Sequence, residues 1–189
     1  VNITPTDPIV WMNAAEVAFL KAEAVAVFGY NMGGSAGDFY NEGVRLSFDE
    51  HGVGGYDAYI NDEVSKPETY VDPAGLYSYA DPLSQLTIKW DDAADVEAKQ
   101  ERIIIQKWIA NFPLGNESWA DIRRTGYPQI LPCLEEANNS GGIVPNEGPR
   151  RIKYPQEEYT SNADYLNEAI STYLNGPDEM STRLWFDCK

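Results

Sequence analysis

Two adjacent arginines, Arg123 and Arg124, are the residues whose type and spacing most directly suggest binding chemistry. Paired guanidinium groups can grip a carboxylate on a ligand. The alternative is structural, because the pair lies near the predicted end of a helix, where the helix dipole favours a cation by roughly 0.3–1 kcal/mol. The turn at 126–128 supports the structural interpretation, in which the arginines pair with some of the 30 acidic side chains.

Four aromatic residues in a loop-rich region form the second candidate site. Flat aromatic faces stack on sugar rings, and tyrosine hydroxyls reach sugar hydroxyls. We predict a ligand-binding site formed by Tyr70, Tyr77, Tyr79 and Trp90. The alternative is that these side chains pin the loop to neighbouring helices.

The sequence contains no pattern typical of bond-breaking chemistry or of metal binding. His51 is the single histidine, and its position just before Gly52 is explained by a favourable interaction with a helix C-terminus. No G-x-S-x-G motif accompanies it. Asp91, Asp92 and Asp95 lack the spacing of a calcium loop and are better explained as helix caps. We therefore predict no catalytic residue, no metal site and no cofactor.

The composition indicates a globular chain with a strongly acidic surface. Its 189 residues suit one domain with a substantial core, and 43% of them are hydrophobic. The net charge of −16 repels phosphate, which argues against nucleic acids and anionic lipids as partners. Neutral sugars and cations remain open as ligands. The spacing of Cys133 and Cys188 does not determine whether they form a disulfide.

The ends of the chain indicate a processed protein or part of a longer one. The sequence begins VNITPTDPIVW, with no initiator methionine and neither the basic region nor the apolar region of a signal peptide. No apolar run is long enough for a transmembrane helix.

A helical hairpin is predicted over residues 11–52. The first helix, at about 11–28, has one apolar face at i, i+3, i+4 and i+7, formed by Ala15, Ala18, Phe19 and Ala22. A second apolar strip consists of Leu20, Ala24 and Val27. A helix that is apolar on two sides is usually sandwiched between neighbours.

The second helix of the hairpin is predicted to end near 51–52. Ser35 and Asp38 form a capping box at its start, and Gly43 leaves room for a partner. The hairpin has about the length of a tetratricopeptide unit, which needs further neighbours to cover both faces.

Residues 53–92 are predicted to be mostly loop, with a short helix at about 56–63. Polar and apolar residues alternate over 85–90, which predicts a strand. Residues 93–128 are predicted to hold a central helix at about 93–112, capped by Asp91 or Asp92, and a shorter helix capped by Asn116. The apolar face of the central helix is predicted to comprise Ile105, Trp108, Ile109 and Phe112.

The last region, 129–189, is predicted to be a loop followed by a helix. Ser161 and Asp164 repeat the capping pattern. The buried stripe of this helix is predicted to comprise Ala163, Leu166, Ile170 and Leu174. We expect Trp108 and Trp119 to lie in the core and Trp185 to pack the tail. All regions are assigned to one domain, 1–189.

Four sequence blocks resemble the C-terminal part of the SusD/RagB family, the outer-membrane glycan-binding lipoproteins of Bacteroidetes. They follow one another in family order over nearly the whole chain: WMNAAEVAFLKAEA at 11–24, DFYNEGVRLSFDEHG at 38–52, IIIQKWIA and ESWADIRRTGYP between 103 and 128, and RRIKYPQEEYTSN at 150–162. The terminal LWFDCK looks like the natural end of the family. Family members are longer, so we expect this chain to be roughly the last third to half of such a protein.

The resemblance implies a mainly α, SusD-like fold, in which a tetratricopeptide-type hairpin packs against further helices, with long loops and a few short strands. It implies non-catalytic binding of an oligosaccharide or polysaccharide at the surface of the outer membrane, and delivery to a SusC-type TonB-dependent porin. The membrane would be reached only through a lipid anchor outside this chain.

Two other hypotheses remain open. The chain could be a helical protein–protein interaction scaffold without its own sugar site. It could also be an enzyme such as a glycoside hydrolase, although no motif supports that class.

Overall fold

The protein is described here from a computed structural model, which describes residues 4–6, 10–75, 84–129, 148–174 and 176–187. Two compact units are present: Val1–Lys66 with Leu86–Ala120, and Pro67–Gln85 with Asp121–Lys189. The described helices are α1 (Ala14–Ala26), α2 (Ala36–His51), α3 (Tyr56–Ile60), α4 (Val96–Ala110), α5 (Gly115–Thr125), α6 (Gln156–Ser161) and α7 (Ala163–Tyr173). The assignment of a single domain to 1–189 stays a prediction.

The predicted mainly α fold class is confirmed, and the predicted strand is wrong. Residues 85–90 form neither helix nor strand, and the described parts of the chain contain no strand beyond an isolated bridge at Gly148. The backbone groups of this segment have other partners. The carbonyl of Ile88 accepts from the Tyr40 hydroxyl, that of Thr87 accepts from Arg102, and the Lys89 N–H donates to the Asp62 carbonyl. Alternating polarity here therefore marks a segment that is anchored on α2, on α4 and on the turn after α3, and that does not pair with another strand.

The first unit begins with the predicted hairpin of α1 and α2. Asn13 caps α1, since its Oδ1 accepts from the Glu16 N–H at 2.6 Å. The predicted capping box at α2 is confirmed: the Asp38 N–H donates to Ser35 Oγ at 3.0 Å, and Asp38 Oδ2 accepts from the Ser35 N–H. Helix α2 ends at His51 and is followed by Gly52 with φ 63°. The tetratricopeptide character of the hairpin stays a prediction.

Close packing between α1 and α2 depends on a glycine. The predicted α1 face, Ala15, Ala18, Phe19 and Ala22, is buried. A Cβ placed on Gly43 would lie 2.8 Å from the Phe19 ring, so the predicted role of Gly43 is confirmed. The second α1 strip is not fully covered, because Leu20 is 38% exposed. The expectation of a helix covered on both sides therefore stays a prediction for this part of α1.

The predicted apolar face of α4 is also wrong. Ile109 and Phe112 are exposed, and Ile105 and Trp108 are only partly buried. The face that packs in the core instead carries Gln100, Ile103, Ile104 and Lys107 at i, i+3, i+4 and i+7. Two of these residues are polar, and hydrophobic periodicity cannot detect a face of this kind.

Partners on α1 explain why polar residues occupy the buried face of α4. Lys107 Nζ lies 3.4 Å from Glu16 Oε1, and both side chains are almost fully buried. Gln100 Nε2 donates to Glu23 Oε1 at 2.9 Å. Buried polar groups are tolerated when they are paired in this way.

Two predicted helix caps are corrected. Helix α4 begins at Val96, and its cap is Asp95, whose Oδ1 accepts from the Ala98 N–H at 2.8 Å. Asp91 and Asp92 lie before it. Helix α5 begins at Gly115, so Asn116 lies inside its first turn. The predicted end of α5 is confirmed, since Gly126 follows Thr125 with φ 76°.

The second unit contains α6 and α7 and a C-terminal segment. Leu166 and Leu174 are buried as predicted, whereas Ala163 is exposed and Ile170 is partly buried. The predicted Ser161 cap is wrong: Asn162 is the N-terminal flanking residue of α7, and Ser161 Oγ donates to the Glu157 carbonyl. Helix α6, which lies before Asn162, is a further short helix that the sequence pattern did not predict.

Buried charges join the two segments that flank α6 and α7. The N–H groups of Arg150 and Arg151 both donate to the Met180 carbonyl. Arg151 pairs with Asp178, and Arg150 Nε lies 3.5 Å from Asp187 Oδ2.

In the described residues, no helix combines the length and apolar character needed to cross a bilayer.

Candidate ligand-binding site

Trp90 lies in the first unit, where its ring packs against residues of α2. The Tyr40 ring centroid is 5.2 Å away, and a Cβ on Gly37 would lie 2.7 Å from Trp90 Cδ1. Trp90 Nε1 donates to Asp92 Oδ1 at 2.8 Å. The ring is therefore fixed in position by packing and by a hydrogen bond, and part of its surface remains accessible.

A cavity of about 360 Å³ lies beside this ring. Small-molecule sites typically have volumes of roughly 300–1,000 Å³, so the cavity has room for a small ligand or for one unit of a polymer. Its lining combines one aromatic ring with charged and hydroxyl groups, from Glu63, Thr87, Lys89, Trp90, Asp91 and Arg102. An aromatic face surrounded by hydrogen-bonding groups is the arrangement that suits a sugar.

Arg102 is the most unusual group in the cavity lining. Its side chain comes from α4 and is 6% exposed. Its Nε donates to the Thr87 carbonyl at 3.1 Å, while its Nη1 is buried and has no hydrogen-bond partner among the described residues. An unpaired buried donor, above all a charged one, carries a desolvation cost that an oxygen acceptor would remove.

A charged pair forms another part of the cavity lining. Lys89 Nζ bonds to Glu63 Oε1, and both side chains are largely exposed. The turn that carries Glu63 is fixed by Asp62, whose Oδ1 accepts from the N–H groups of Val64 and Ser65. Hydrogen bonds from the side chain and backbone of Ser65, and from the backbone of Val64, lower the pKa of Asp62. The exposed Lys89–Glu63 pair costs little to rearrange around a ligand.

The predicted four-residue aromatic site is only partly within the described structure. Trp90 lines the cavity. Tyr70 is 40% exposed and belongs to the second unit. Tyr77 and Tyr79 lie outside the described residues. Sequence reasoning missed Arg102, because an arginine on a helix normally signals a solvated face and not a buried one.

The adjacent arginines, Arg123 and Arg124, both interact with other groups of the protein, which fits the structural interpretation of this pair. The Arg123 guanidinium lies 5.1 Å from the centroid of the Phe186 ring, and its Nη1 donates to the Arg150 carbonyl. Arg124 Nη2 pairs with Asp121 at 2.9 Å.

The remaining candidates also have local roles. Asp91 and Asp95 accept hydrogen bonds from backbone N–H groups, and within the described residues no group of three or more potential ligands could hold a metal ion.

Trp119, like Trp108, is partly buried. Trp185 contacts Phe186 but is 90% exposed, so the expected packing of the tail by Trp185 is wrong.

A second cavity in the first unit, of about 270 Å³, is almost entirely apolar. His51, the last residue of α2, lies on its border. The other lining residues are Val44, Ser47, Phe48, Val53, Tyr59, Gln106 and Ile109. An apolar lining offers few polar groups to orient a sugar, so this cavity is the weaker candidate.

Comparison with known families and structures identifies the group to which the chain belongs. A family model described as "SusD-like: Susd and RagB outer membrane lipoprotein" matches residues 1–187. The chain belongs to the SusD/RagB family. The family description also confirms the predicted location, the outer membrane.

Solved structures of SusD homologues show the same fold. A SusD homologue from Bacteroides uniformis is 57% identical, with a TM-score of 0.94, over 100% of this chain and 39% of that one. A homologue from Bacteroides thetaiotaomicron is 45% identical, with a TM-score of 0.89, over 100% of this chain and 40% of that one. A chitin-binding SusD homologue from Flavobacterium johnsoniae is 45% identical, with a TM-score of 0.86, over 96% of this chain and 37% of that one.

The chain thus spans about two-fifths of the length of the SusD homologues that it matches. The comparison with curated proteins gave no match. Within this SusD/RagB chain, the blocks that carried the resemblance correspond to α1, α2, the α4–α5 region and the Arg150–Arg151 segment that leads into α6. Three of the four blocks contain buried charged side chains: Glu16 and Glu23 in the first, Lys107 and Asp121 in the third, and the two arginines in the fourth.

Proposed function

We propose that the intact protein binds a glycan without cleaving it, at the surface of the outer membrane, and delivers it to a SusC-type TonB-dependent porin. The observation that carries the proposal is the 45% identity, over 96% of this chain, to a homologue whose name describes it as chitin-binding. Membership of the SusD/RagB family supports the same function.

The Trp90 cavity is the part of the described chain that suits this function best. It presents an aromatic ring beside donors and acceptors, which together can stack on a sugar and bond its hydroxyls. The aromatic site formed by Tyr70, Tyr77, Tyr79 and Trp90 stays a proposal, and Trp90 is the member that the cavity supports.

Binding and turnover can be measured separately on the intact protein. A glycan array followed by calorimetric titration should identify an oligosaccharide ligand, and the same incubation should release no reducing ends. Release of reducing ends at a rate proportional to protein concentration would contradict the proposal. A protein that binds no glycan on the array would also contradict it.

An interaction scaffold is the second candidate function, and the open apolar cavity at the C-terminal end of α2 favours it. In that case the protein would bind the porin and have no sugar site of its own. Co-purification with the SusC-type porin in the absence of any glycan binding would favour the scaffold. Glycan binding by the isolated intact protein would exclude a scaffold that lacks a sugar site.

A further inference from the structure

We propose that the Trp90 cavity recognises a carboxylate-bearing sugar, a uronic acid unit of the glycan, through the Arg102 guanidinium. The inference rests on the proposed glycan-binding function and adds the chemical class of the ligand. The observation behind it is the Nη1 atom of Arg102, which is buried beside a cavity with room for a sugar and has no partner in the described part of the chain.

The charge of Arg102 selects the class of ligand. The guanidinium group is a cation, and among the described residues its hydrogen-bond partner is the neutral Thr87 carbonyl. A hydroxyl or acetamide oxygen would satisfy Nη1 but would bring no negative charge to the guanidinium. A carboxylate supplies both, and charge-assisted bonds from arginine are about twice as strong as neutral ones.

The other groups of the cavity favour one orientation of such a sugar. Lys89 offers a second cation once its exposed bond to Glu63 opens. Glu63 and Asp91 would repel the carboxylate of the sugar and accept hydrogen bonds from the sugar hydroxyls. The carboxylate would therefore lie toward Arg102, and the hydroxyls toward the acidic side chains, with the sugar ring against Trp90.

The overall charge of the chain makes this selectivity easy to distinguish from non-specific attraction. A net charge of −16 repels polyanions at a distance. Uronate binding would then have to come from a local cationic contact. Because the Arg102 contact is buried, added salt should weaken it much less than it weakens an exposed ion pair.

The test uses the intact protein and uronic acid trisaccharides. Galacturonate and glucuronate trimers are titrated by calorimetry, each beside its methyl ester, which keeps the sugar and removes the charge. We expect at least one acid to bind and its ester to bind far more weakly. Arg102→Gln should weaken binding of the acid by roughly 10- to 100-fold, the equivalent of one charge-assisted hydrogen bond, and Arg102→Lys should restore part of it.

Lys89→Gln provides a second test that does not depend on whether the Arg102 variants fold. Lys89 is exposed, so its removal should leave the fold intact and weaken uronate binding by several-fold. The matched control is Arg45→Gln, which removes an exposed cation of a similar pair, Arg45–Asp49, on α2. The control should leave binding unchanged.

Three outcomes would overturn the inference. The first is equal binding of an acid and its ester. The second is neutral glycan binding that Arg102→Gln and Lys89→Gln leave unchanged, which would preserve the proposed function and refute only the carboxylate class. The third is a crystal structure of the intact protein in which another part of the chain bonds to Arg102 Nη1. If no glycan of any kind binds, the proposed function fails as well.

Discussion

Glu16 and Lys107 form an ion pair at the interface between α1 and α4, with Glu16 Oε1 and Lys107 Nζ 3.4 Å apart and both side chains at least 96% buried. Seven residues further along α1, and seven residues back along α4, Glu23 accepts a hydrogen bond from Gln100. Because 16 pairs with 107 and 23 with 100, the two helices run in opposite directions in a single register. Any sliding between them would leave buried polar groups without partners, so these two contacts specify the alignment of the helices.

We expect Lys107→Met to lower the free energy of unfolding by about 3–5 kcal/mol, because it leaves the Glu16 carboxylate buried without a counter-charge. The matched control is Arg45→Met at the exposed Arg45–Asp49 pair, which should cost less than about 1 kcal/mol. Denaturant unfolding of the intact protein, followed by circular dichroism, measures both. Equal losses in the two variants would mean that the Glu16–Lys107 pair is not buried in the intact protein.

Gly43→Ala should destabilise the α1–α2 interface, although alanine is the better helix former. The new Cβ would lie 2.8 Å from the Phe19 ring, and Phe19 is fully buried, so the ring has little room to move. Overpacking of this kind typically costs about 1–3 kcal/mol.

The control for this substitution is Gly115→Ala at the start of α5, where a Cβ would meet nothing within 4 Å. That variant should be neutral or slightly stabilising. The melting temperatures of the two variants compare them directly. Adding Phe19→Leu to Gly43→Ala should recover part of the loss, and no recovery would argue against a clash with Phe19 as its cause.

Stability should fall in alkali because of Tyr40. Burial, and then the nearby Tyr59, raise the pKa of the Tyr40 hydroxyl far above its usual value of 10.0. The folded state therefore keeps this proton where the unfolded chain loses it, so its contribution is complete below about pH 10 and declines as the pH rises above that value.

Tyr40→Phe tests this dependence. At neutral pH the variant loses the hydrogen bond to the Ile88 carbonyl, at a cost of about 1 kcal/mol. Between about pH 9 and 11 its unfolding free energy should decline less steeply than that of the parent protein. Parallel declines in the two proteins, measured by urea unfolding at each pH, would assign the alkaline loss to other groups.

Asp178 should make the second unit sensitive to acid. Burial acts to raise the pKa of this carboxyl, but hydrogen bonds from the Tyr159 hydroxyl, Arg151 and the Tyr154 N–H outweigh it and lower the pKa below 3.8. The stabilisation from this group is therefore complete above the unfolded value and is lost as the pH falls through the lower folded value.

Asp178→Asn should remove this acid dependence and destabilise the second unit at neutral pH, because it leaves the Arg151 guanidinium buried without its counter-charge. Thermal unfolding at neutral pH and in acid, compared with the parent protein, measures both effects. Glu157→Gln, at an exposed position of α6, is a control that should change neither. An Asp178→Asn variant as stable as this control would contradict the assigned role of Asp178.

The sequence by itself determined the features that depend on local chemistry. The Ser35–Asp38 capping box, the apolar face of α1 and the end of α5 at Gly126 are all local in sequence. Each is set by backbone geometry or by spacing along one helix, and each is confirmed by the structure. The resemblance carried by the four blocks likewise led to the right family.

Only the tertiary structure decided which side of α4 is buried and where the candidate site lies. Lys107 and Gln100 count as surface residues on any hydrophobic scale, and they are buried because Glu16 and Glu23 meet them from α1. Residues 85–90 alternate like a strand but bond to Tyr40, Arg102 and Asp62. Arg102 becomes a candidate for ligand binding only when the fold removes it from water beside Trp90. In each case the decisive partner is distant in sequence, and a residue's type and spacing carry no information about a partner that only folding supplies.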